Sequence, residues 1–479
     1  MAVVFRVDGG RQTEWRSRID WTLVVSLCSL AAVLGLYWYR PLAPALHHGV
    51  APAAAAVQPG PAVAQPPAPA EANAGMQPQQ VDAQQSAQQQ QQQQQRTRWF
   101  KPVGYHLPEE CLKHEDLYLG IVENLRPWMA TGITRTDLDA CGVPIAPNAS
   151  YINTARDGNH RAVLLQNKVH ITSGGLWRGQ GKEQPLYMHF LTVIQMAADR
   201  FGLPDMEFVV GFGRDIGKAD KPGANGGLCP VFTYCKSPND FDLLLPDGHF
   251  IEAQYDLWLN TTSEPDVVPW EEKEEKVYGR FMEYEPAAPP LDRYGVKLEH
   301  LRKDYANYSH TLQQTNATRT DIGGEFSSLG GQRRFKYTLN LDGIGCSTRF
   351  QQLLATGQTV IKQESPLRGF FYYALQPWVH YVPTGWNGIS EIDAVVAFLR
   401  QHDALARRIG ENSKRFAHDH LNEEGRLCYV KVLMEEMKRL MRREVRAEDF
   451  PSLITYEEEV ENYFTEQEKR GLKHRVIIV

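Results

Sequence analysis

Residues 336–383 read KYTLNLDGIGCSTRFQQLLATGQTVIKQESPLRGFFYYALQPWVHYVP, and their changes of period decide the fold class. Tyr337, Leu339 and Leu341 recur at period two, as in a strand. Gly343 and Gly345 interrupt the pattern, and Phe350, Leu353 and Leu354 follow at helical spacing. Gly357 stands where a helix C-cap belongs, and a second apolar strand starts at Thr359–Ile361. Strand, glycine loop, helix and strand make a βαβ unit of an α/β protein. Such a loop aims backbone N–H groups and the positive end of a helix at one point, where phosphate binds. Arg349, one turn into the predicted helix, offers a bidentate contact to a diphosphate, and Lys362, at the end of the next strand, a second charge. Loops of this shape also serve packing alone, so the pattern by itself leaves both readings open.

Four strings in and around this stretch carry a resemblance. They are N-x-DG in Asn340–Gly343, S-x-R in Ser347–Arg349, an LK-x-x-S-like run in Ile361–Ser365, and FFY-x-x-L-x-PW-x-HY-x-P in Phe370–Pro383. Together they resemble the Rumi-type protein O-glucosyltransferases and the fungal capsule-associated (CAP10-domain, family 90) glycosyltransferases. Weaker similarity runs from about Cys111 to Tyr429 through Gly132–Arg135, Leu203–Phe208 and Pro230–Ser237.

Composition agrees with a folded enzyme-sized body. The chain has 479 residues, 42% hydrophobic and 23% charged, enough to bury a large core. A net charge of −6 and a pI near 6.2 argue against nucleic acid as partner. Trp21–Tyr39 is an uncharged, mostly apolar run; as a helix it is about 28 Å long, close to the ~30 Å hydrocarbon core. Trp21, Tyr37, Trp38 and Tyr39 mark its edges. Arg6, Arg11, Arg16 and Arg18 precede it, which predicts a cytosolic tail at 1–20, a signal anchor at 21–39 and a luminal body. A cleaved signal peptide ending near Ala43-Pro44-Ala45 is the competing reading. Residues 40–98, rich in Ala, Pro and Gln with glutamine throughout 88–95, read as a disordered stem. Anchor, stem and body are the layout of a type II glycosyltransferase of the Golgi or endoplasmic reticulum. The C-terminal Val-Ile-Ile-Val is no retrieval signal, and the short apolar run leans toward Golgi.

Asn148, Asn260, Asn307 and Asn316 each open a glycosylation sequon. Six cysteines fall in the body, Cys111, Cys141, Cys229, Cys235, Cys346 and Cys428, an even set that allows three disulfides in a lumen. Cys229 and Cys235 are near enough in sequence for a local bridge, and the resemblance implies that Cys111 and Cys428 join the ends of the body. A body this long predicts two domains, with the boundary near Thr261–Glu275. We place an acceptor-side Rossmann-like domain at 99–265, a nucleotide-sugar-binding one at 266–445 and a helical tail at 446–479. Ser390 is a predicted cap for a helix carrying Ile392, Val395, Val396 and Leu399. Leu427, Val430, Met434, Met437 and Met441 form a second core stripe. His418 and His420, two apart, face different ways on a helix and are not a metal pair; the resemblance makes His420 structural.

The implied reaction moves a sugar from a nucleotide diphosphate to a hydroxyl, so something must stabilise the departing diphosphate and something must take the acceptor's proton. Asp137-Leu-Asp139 and Asp240-Phe-Asp242 match the D-x-D pattern of metal-dependent enzymes, but the pattern is short and common. The resemblance instead implies two facing Rossmann-like domains (a GT-B type fold) with no metal and no further cofactor. The donor-site candidates are Asp342, Gly343, Ser347, Arg349 and Lys362, with Arg280 matched to an arginine of the relatives' FRG motif, here rearranged as Gly279-Arg280-Phe281. Gly369 stands where relatives commonly carry a glutamate. Asp215 matches, one residue late, the relatives' catalytic aspartate behind the strand Met206–Phe212, and is the candidate base; pairing with Arg214 or Lys218 is its structural alternative. The expectation is an inverting, metal-independent transferase using UDP-glucose or UDP-xylose on a protein or glycan hydroxyl. The alternative is a catalytically impaired lectin or scaffold on the same fold.

Overall fold

The computed structural model describes residues 107–142, 159–172, 184–211, 222–223, 226–263, 268–286, 290, 295, 297–314, 319–323, 329–450 and 452–469. The signal-anchor run, the stem, Asp215, Asn148 and Asn316 lie outside them. No helix among the described residues is long and apolar enough to cross a membrane.

Two sheets organise the described body. The first holds β1 (Asn159–Leu165), β2 (Lys168–Ile171), β3 (Met206–Gly211), β4 (Val231–Thr233), β5 (Leu243–Leu244) and, from the far end of the chain, β11 (Ile454–Thr455). Its order is β11-β2-β1-β3-β4-β5. The pairs β11–β2, β2–β1 and β1–β3 are antiparallel, while β3–β4 and β4–β5 are parallel. The second holds β6 (Glu274–Arg280), β7 (Thr320–Gly323), β8 (Phe335–Asn340), β9 (Thr359–Gln363) and β10 (Val382–Thr384), in the order β10-β9-β8-β6-β7. All four of its pairings are parallel. One apolar cluster, around Phe208, Leu191 and Phe232 of the first sheet, also takes in Phe350 and Val360, and a second gathers around Tyr337, Leu339, Ile361 and Val396.

The sequence explains the contrast between strands. Every residue of β3, β8 and β9 is buried, because each is an inner strand covered on both faces, so that even Lys336, Asn340, Lys362 and Gln363 lie inside. Helices supply the cover: α1 (Leu119–Leu125), α2 (Arg135–Ala140), α3 (Gln184–Phe201), α4 (Tyr255–Ser263), α5 (Leu301–Gln314), α6 (Phe350–Leu354), α7 (Glu391–Gln401), α8 (Asp403–His420), α9 (Glu423–Leu440) and α10 (Tyr456–Lys469). α8 lies so close to the start of β9 that a Cβ on Gly410 would stand 2.4 Å from the carbonyl oxygen of Gly357. Gly357 itself has φ +74°, the left-handed value expected of a residue just past a helix. α9 crosses back to the first sheet, where the Tyr429 hydroxyl donates to the Leu244 carbonyl at 3.0 Å. Ser390 precedes α7 but caps nothing, since its backbone is already helical.

Three disulfides tie the body together: Cys111–Cys428, Cys141–Cys229 and Cys235–Cys346. The first is the pairing the resemblance implies. A local Cys229–Cys235 bridge does not form, because β4 lies between the two cysteines and at ~3.3 Å per residue holds them far beyond the reach of a disulfide. Cys235, just past β4, instead reaches Cys346 in the loop after β8. The carboxyl ends of the two sheets are therefore joined covalently.

Candidate active site

The loop after β8 is built around Asp342. This buried carboxylate accepts from the Ser347 backbone N–H at 3.1 Å and, through its other oxygen, from the Ser365 hydroxyl. Asp342 thus spans from the glycine loop to the end of β9 and fixes the loop's shape. Of the loop's own amides, Gly343 donates to Gly345 at 2.9 Å, Cys346 to Cys235 Sγ at 3.0 Å, and Ser347 to Asp342. These N–H groups are spent inside the protein. α6 is five residues long, and Arg349 sits at its N-cap, not a turn inside it as the spacing suggests. Three of the loop's amides are therefore unavailable to a ligand.

Guanidinium groups occupy that place. Arg302, from the first turn of α5, wraps the loop: its Nε donates to the Asp342 carbonyl at 3.0 Å, Nη2 to Leu341 at 3.0 Å and Nη1 to Met282 at 2.9 Å. This explains Gly343, whose φ is not left-handed: a Cβ there would meet Arg302 Nη2 at 3.1 Å. Arg349 donates to the carbonyl of Arg280 at the end of β6. Burial pushes Arg302 down to about 10; Asp342 opposes that shift and the neighbouring Arg349 adds to it. Burial likewise lowers Arg349, against a smaller opposing effect of Tyr278. Two half-buried cations thus stand close together with one fully engaged carboxylate beside them. An incoming dianion relieves both desolvation and mutual repulsion.

The other expected donor residues divide. Ser347 helps shape the loop through its amide. Arg280 is committed elsewhere: its guanidinium pairs with Asp321 at 2.6 Å, donates to the Asp321 carbonyl at 2.7 Å and stacks 4.4 Å over Tyr278. Lys362 does not leave the strand end as a free charge. It is buried within β9, donates to the Gln363 carbonyl at 3.1 Å and is ringed by Phe350, Tyr372 and Tyr381 at 5.4–5.9 Å. Gly369 has no room to spare, since a Cβ there would meet the Tyr372 ring at 3.1 Å.

Three of the four D-x-D carboxylates have structural employment. Asp137 closes a capping box on Thr134 at the start of α2 and accepts from the Leu228 amide at 2.8 Å. Asp139 holds Arg161 at 2.8 Å and Arg135 at 3.1 Å. Asp240 accepts from the Ser237 amide at 2.7 Å, and the Asp242 carbonyl takes Lys236 Nζ at 2.8 Å. His420 meets His114 with their Nδ1 atoms 3.3 Å apart, beside the Cys111–Cys428 bridge and in a structural position. Arg302 is the residue that sequence reading missed. It lies some forty positions before the loop, in a helix whose pattern signals only packing.

The family model for glycosyl transferase family 90 matches residues 109–469, three quarters of the chain and all of both sheets. The chain belongs to glycosyl transferase family 90. Among curated relatives, the O-glucosyltransferase rumi of Drosophila pseudoobscura is 24% identical over 350 residues, covering 69% of this chain and 78% of the relative. Protein O-glucosyltransferase 1 of Rattus norvegicus is 27% identical over 271 residues, covering 53% of this chain and 67% of its own length. The human counterpart, 26% identical, is covered over 64% of its length. A solved structure of Anabaena HepE in complex with UDP is matched over 52% of this chain and 67% of its own at 12% identity. Its TM-score of 0.25 is too low to establish a common arrangement.

Proposed function

We propose that this family 90 glycosyltransferase moves glucose or xylose from a UDP-sugar to a hydroxyl of a protein or glycan, with inversion and without a metal ion. The observation that carries the reading is the pair Arg302 and Arg349 at the loop after β8, two desolvated guanidinium groups beside a carboxylate already satisfied by Ser347 and Ser365. Such a pair suits a diphosphate that gains charge as it departs. The relatives' printed names, protein O-glucosyltransferase and rumi, favour glucose on a protein acceptor. In the reaction the acceptor oxygen bonds to the sugar's anomeric carbon as the bond to the phosphate oxygen breaks. UDP leaves with the electron pair, and the acceptor proton passes to a base. We assign that base to Asp215, behind the carboxyl end of β3, where cleft-facing loops of α/β sheets carry chemistry. We place the two sheets in two Rossmann-like domains of a GT-B type fold. We place the enzyme in a Golgi or endoplasmic-reticulum lumen behind a membrane anchor at 21–39, which the three disulfides of the body favour.

Two residues support the alternative of an impaired, lectin-like member. Arg280 is tied to Asp321, and Gly369 brings no carboxylate. UDP release from a panel of UDP-sugars, with and without acceptor, tests the proposal. Release with UDP-glucose or UDP-xylose supports it. Tight sugar binding with no release from any donor sinks it in favour of the alternative.

A further inference from the structure

Large apolar side chains scattered singly over a surface need no explanation, but a cluster of them does. Seven stand exposed among the described residues, and three of the seven, Met282, Tyr284 and Ile344, fall around Arg302. Met282 and Tyr284 belong to the segment that follows β6. The Met282 carbonyl accepts from Arg302 Nη1 at 2.9 Å, and the Arg302 guanidinium carbon lies 6.0 Å from the centre of the Tyr284 ring. The Tyr284 hydroxyl donates to Met282 Sδ at 3.3 Å, which ties these two side chains to each other. Ile344 belongs to the loop after β8 and follows Gly343, where a Cβ would meet Arg302 Nη2 at 3.1 Å. Three carbonyls hold the guanidinium in place, so it forms a fixed link between the two segments. Tyr284 is 44% exposed, Met282 64% and Ile344 40%, and all three are open to a ligand.

The size and chemistry of the cluster narrow what it binds. A stable protein partner needs about 800 Å² on each side, far more than three side chains around one guanidinium offer. Glu283 and Glu285, exposed on the same segment, make this end unfit for a further anionic group. A flat, uncharged ring suits it. Such a ring stacks on tyrosine, gains from the cation beneath the tyrosine and meets the soft thioether of methionine. Position decides which ring. Arg302 reaches from Tyr284 to the Leu341 and Asp342 carbonyls of the loop that also carries Arg349. A ring seated on Tyr284 is thus one side chain away from a diphosphate at that loop, and the ring covalently joined to such a diphosphate is a nucleobase.

We propose that Tyr284, with Met282 and Ile344 beside it, is the stacking platform for the nucleobase of the donor. The platform rests on the reading of the loop after β8 as the diphosphate site. Because the Tyr284 hydroxyl is turned to Met282, the ring offers the base its face, and phenylalanine should serve in its place.

The test titrates UDP and inorganic pyrophosphate by calorimetry into the full chain and its Tyr284→Ala, Tyr284→Phe and Arg349→Ala variants. Tyr284→Ala should bind UDP roughly 5- to 150-fold more weakly, the range for one lost base–aromatic stack, and pyrophosphate as the wild type does. Tyr284→Phe should keep UDP affinity within about twofold, since the stacking face is retained. Arg349→Ala should lose affinity for both ligands. The exposed Tyr284 can be replaced without shifting the melting temperature, which separates lost binding from lost fold. Unchanged UDP affinity in Tyr284→Ala, with Arg349→Ala weakened, overturns the platform and leaves the diphosphate site standing; a raised KM for acceptor in that variant would then make the cluster an acceptor face. Equal loss of pyrophosphate and UDP in Tyr284→Ala also overturns it, because the ring would then only position Arg302. A wild type that binds neither ligand removes the diphosphate site and the platform together.

Discussion

Replacing Cys235 and Cys346 together by alanine should weaken both the fold and the donor site, whereas removing Cys111–Cys428 should weaken the fold alone. The Cys235–Cys346 bridge closes a loop of 111 residues, for which unfolded-chain entropy gives about 4.7 kcal/mol. Cys111 and Cys428 are 317 residues apart, but the other two bridges shortcut that loop to about 120 residues, so its loss costs about the same. With unfolding entropy near 2.1 cal/mol/K per residue over roughly 360 residues, either loss lowers the melting temperature by about 6 °C. The two variants part at the ligand. Cys346 lies between Asp342 and Arg349, and its bond to Cys235 is what fixes this loop to the first sheet. Freeing the loop adds an ordering cost of about 1–2 kcal/mol to UDP binding, or roughly 5- to 30-fold in affinity. Differential scanning calorimetry and UDP titration on both double variants decide the matter. Equal UDP affinity in the two would refute the idea that this disulfide organises the donor loop.

Three further outcomes are expected. His114 is buried against His420 and held down to about 4 by burial first and His420 next. Its folded value lies below the ordinary 6.5, so its contribution is complete above pH 6.5 and is lost as pH falls toward 4. About 3 kcal/mol is at stake, and urea titrations across that window should show wild type losing about that much stability relative to His114→Gln as pH falls. Asp215→Asn should leave UDP affinity within twofold and cut turnover by about 10²–10⁴; full turnover would remove Asp215 as the base. Asn260 and Asn307 stand exposed on α4 and α5, and endoglycosidase should shift the mobility of protein made in a secretory host. An unchanged band would speak against a luminal body.

The second sheet was legible in part because apolar residues and a helix-ending glycine mark its central strands. Tyr337, Leu339 and Leu341 mark β8, Thr359–Ile361 opens β9, and Gly357 ends the helix between them. The first sheet was less so. β1 and β2 are joined through Gln166 and Asn167 at φ 51° and 63°, a hairpin turn made without the Asn-Gly or Asp-Gly pair that usually announces it. Asp342 was singled out as a donor-site residue from its position before the glycines, whereas its carboxylate shapes the loop through Ser347 and Ser365. Arg302 did not follow from anything local, because its partners are three carbonyls supplied by the segments just past β6 and β8. Lys362 misled for the opposite reason: its place in the strand was right, but the three aromatic rings that enclose it come from α6 and from two turns beyond β9. Cysteine spacing favoured a Cys229–Cys235 bridge that β4 makes impossible.

We propose that a guanidinium pair, Arg302 and Arg349, receives the diphosphate. Titration of UDP into Arg349→Ala and Arg349→Lys tests it most directly, because Arg302 also holds the loop and its removal would confound binding with folding. The alanine variant should bind UDP about 10- to 150-fold more weakly, equivalent to about 1.5–3 kcal/mol for a hydrogen bond to a charged group, and the lysine variant should recover part of that loss. UDP affinity in Arg349→Ala equal to that of the wild type would contradict the assignment of the loop after β8 as the donor site.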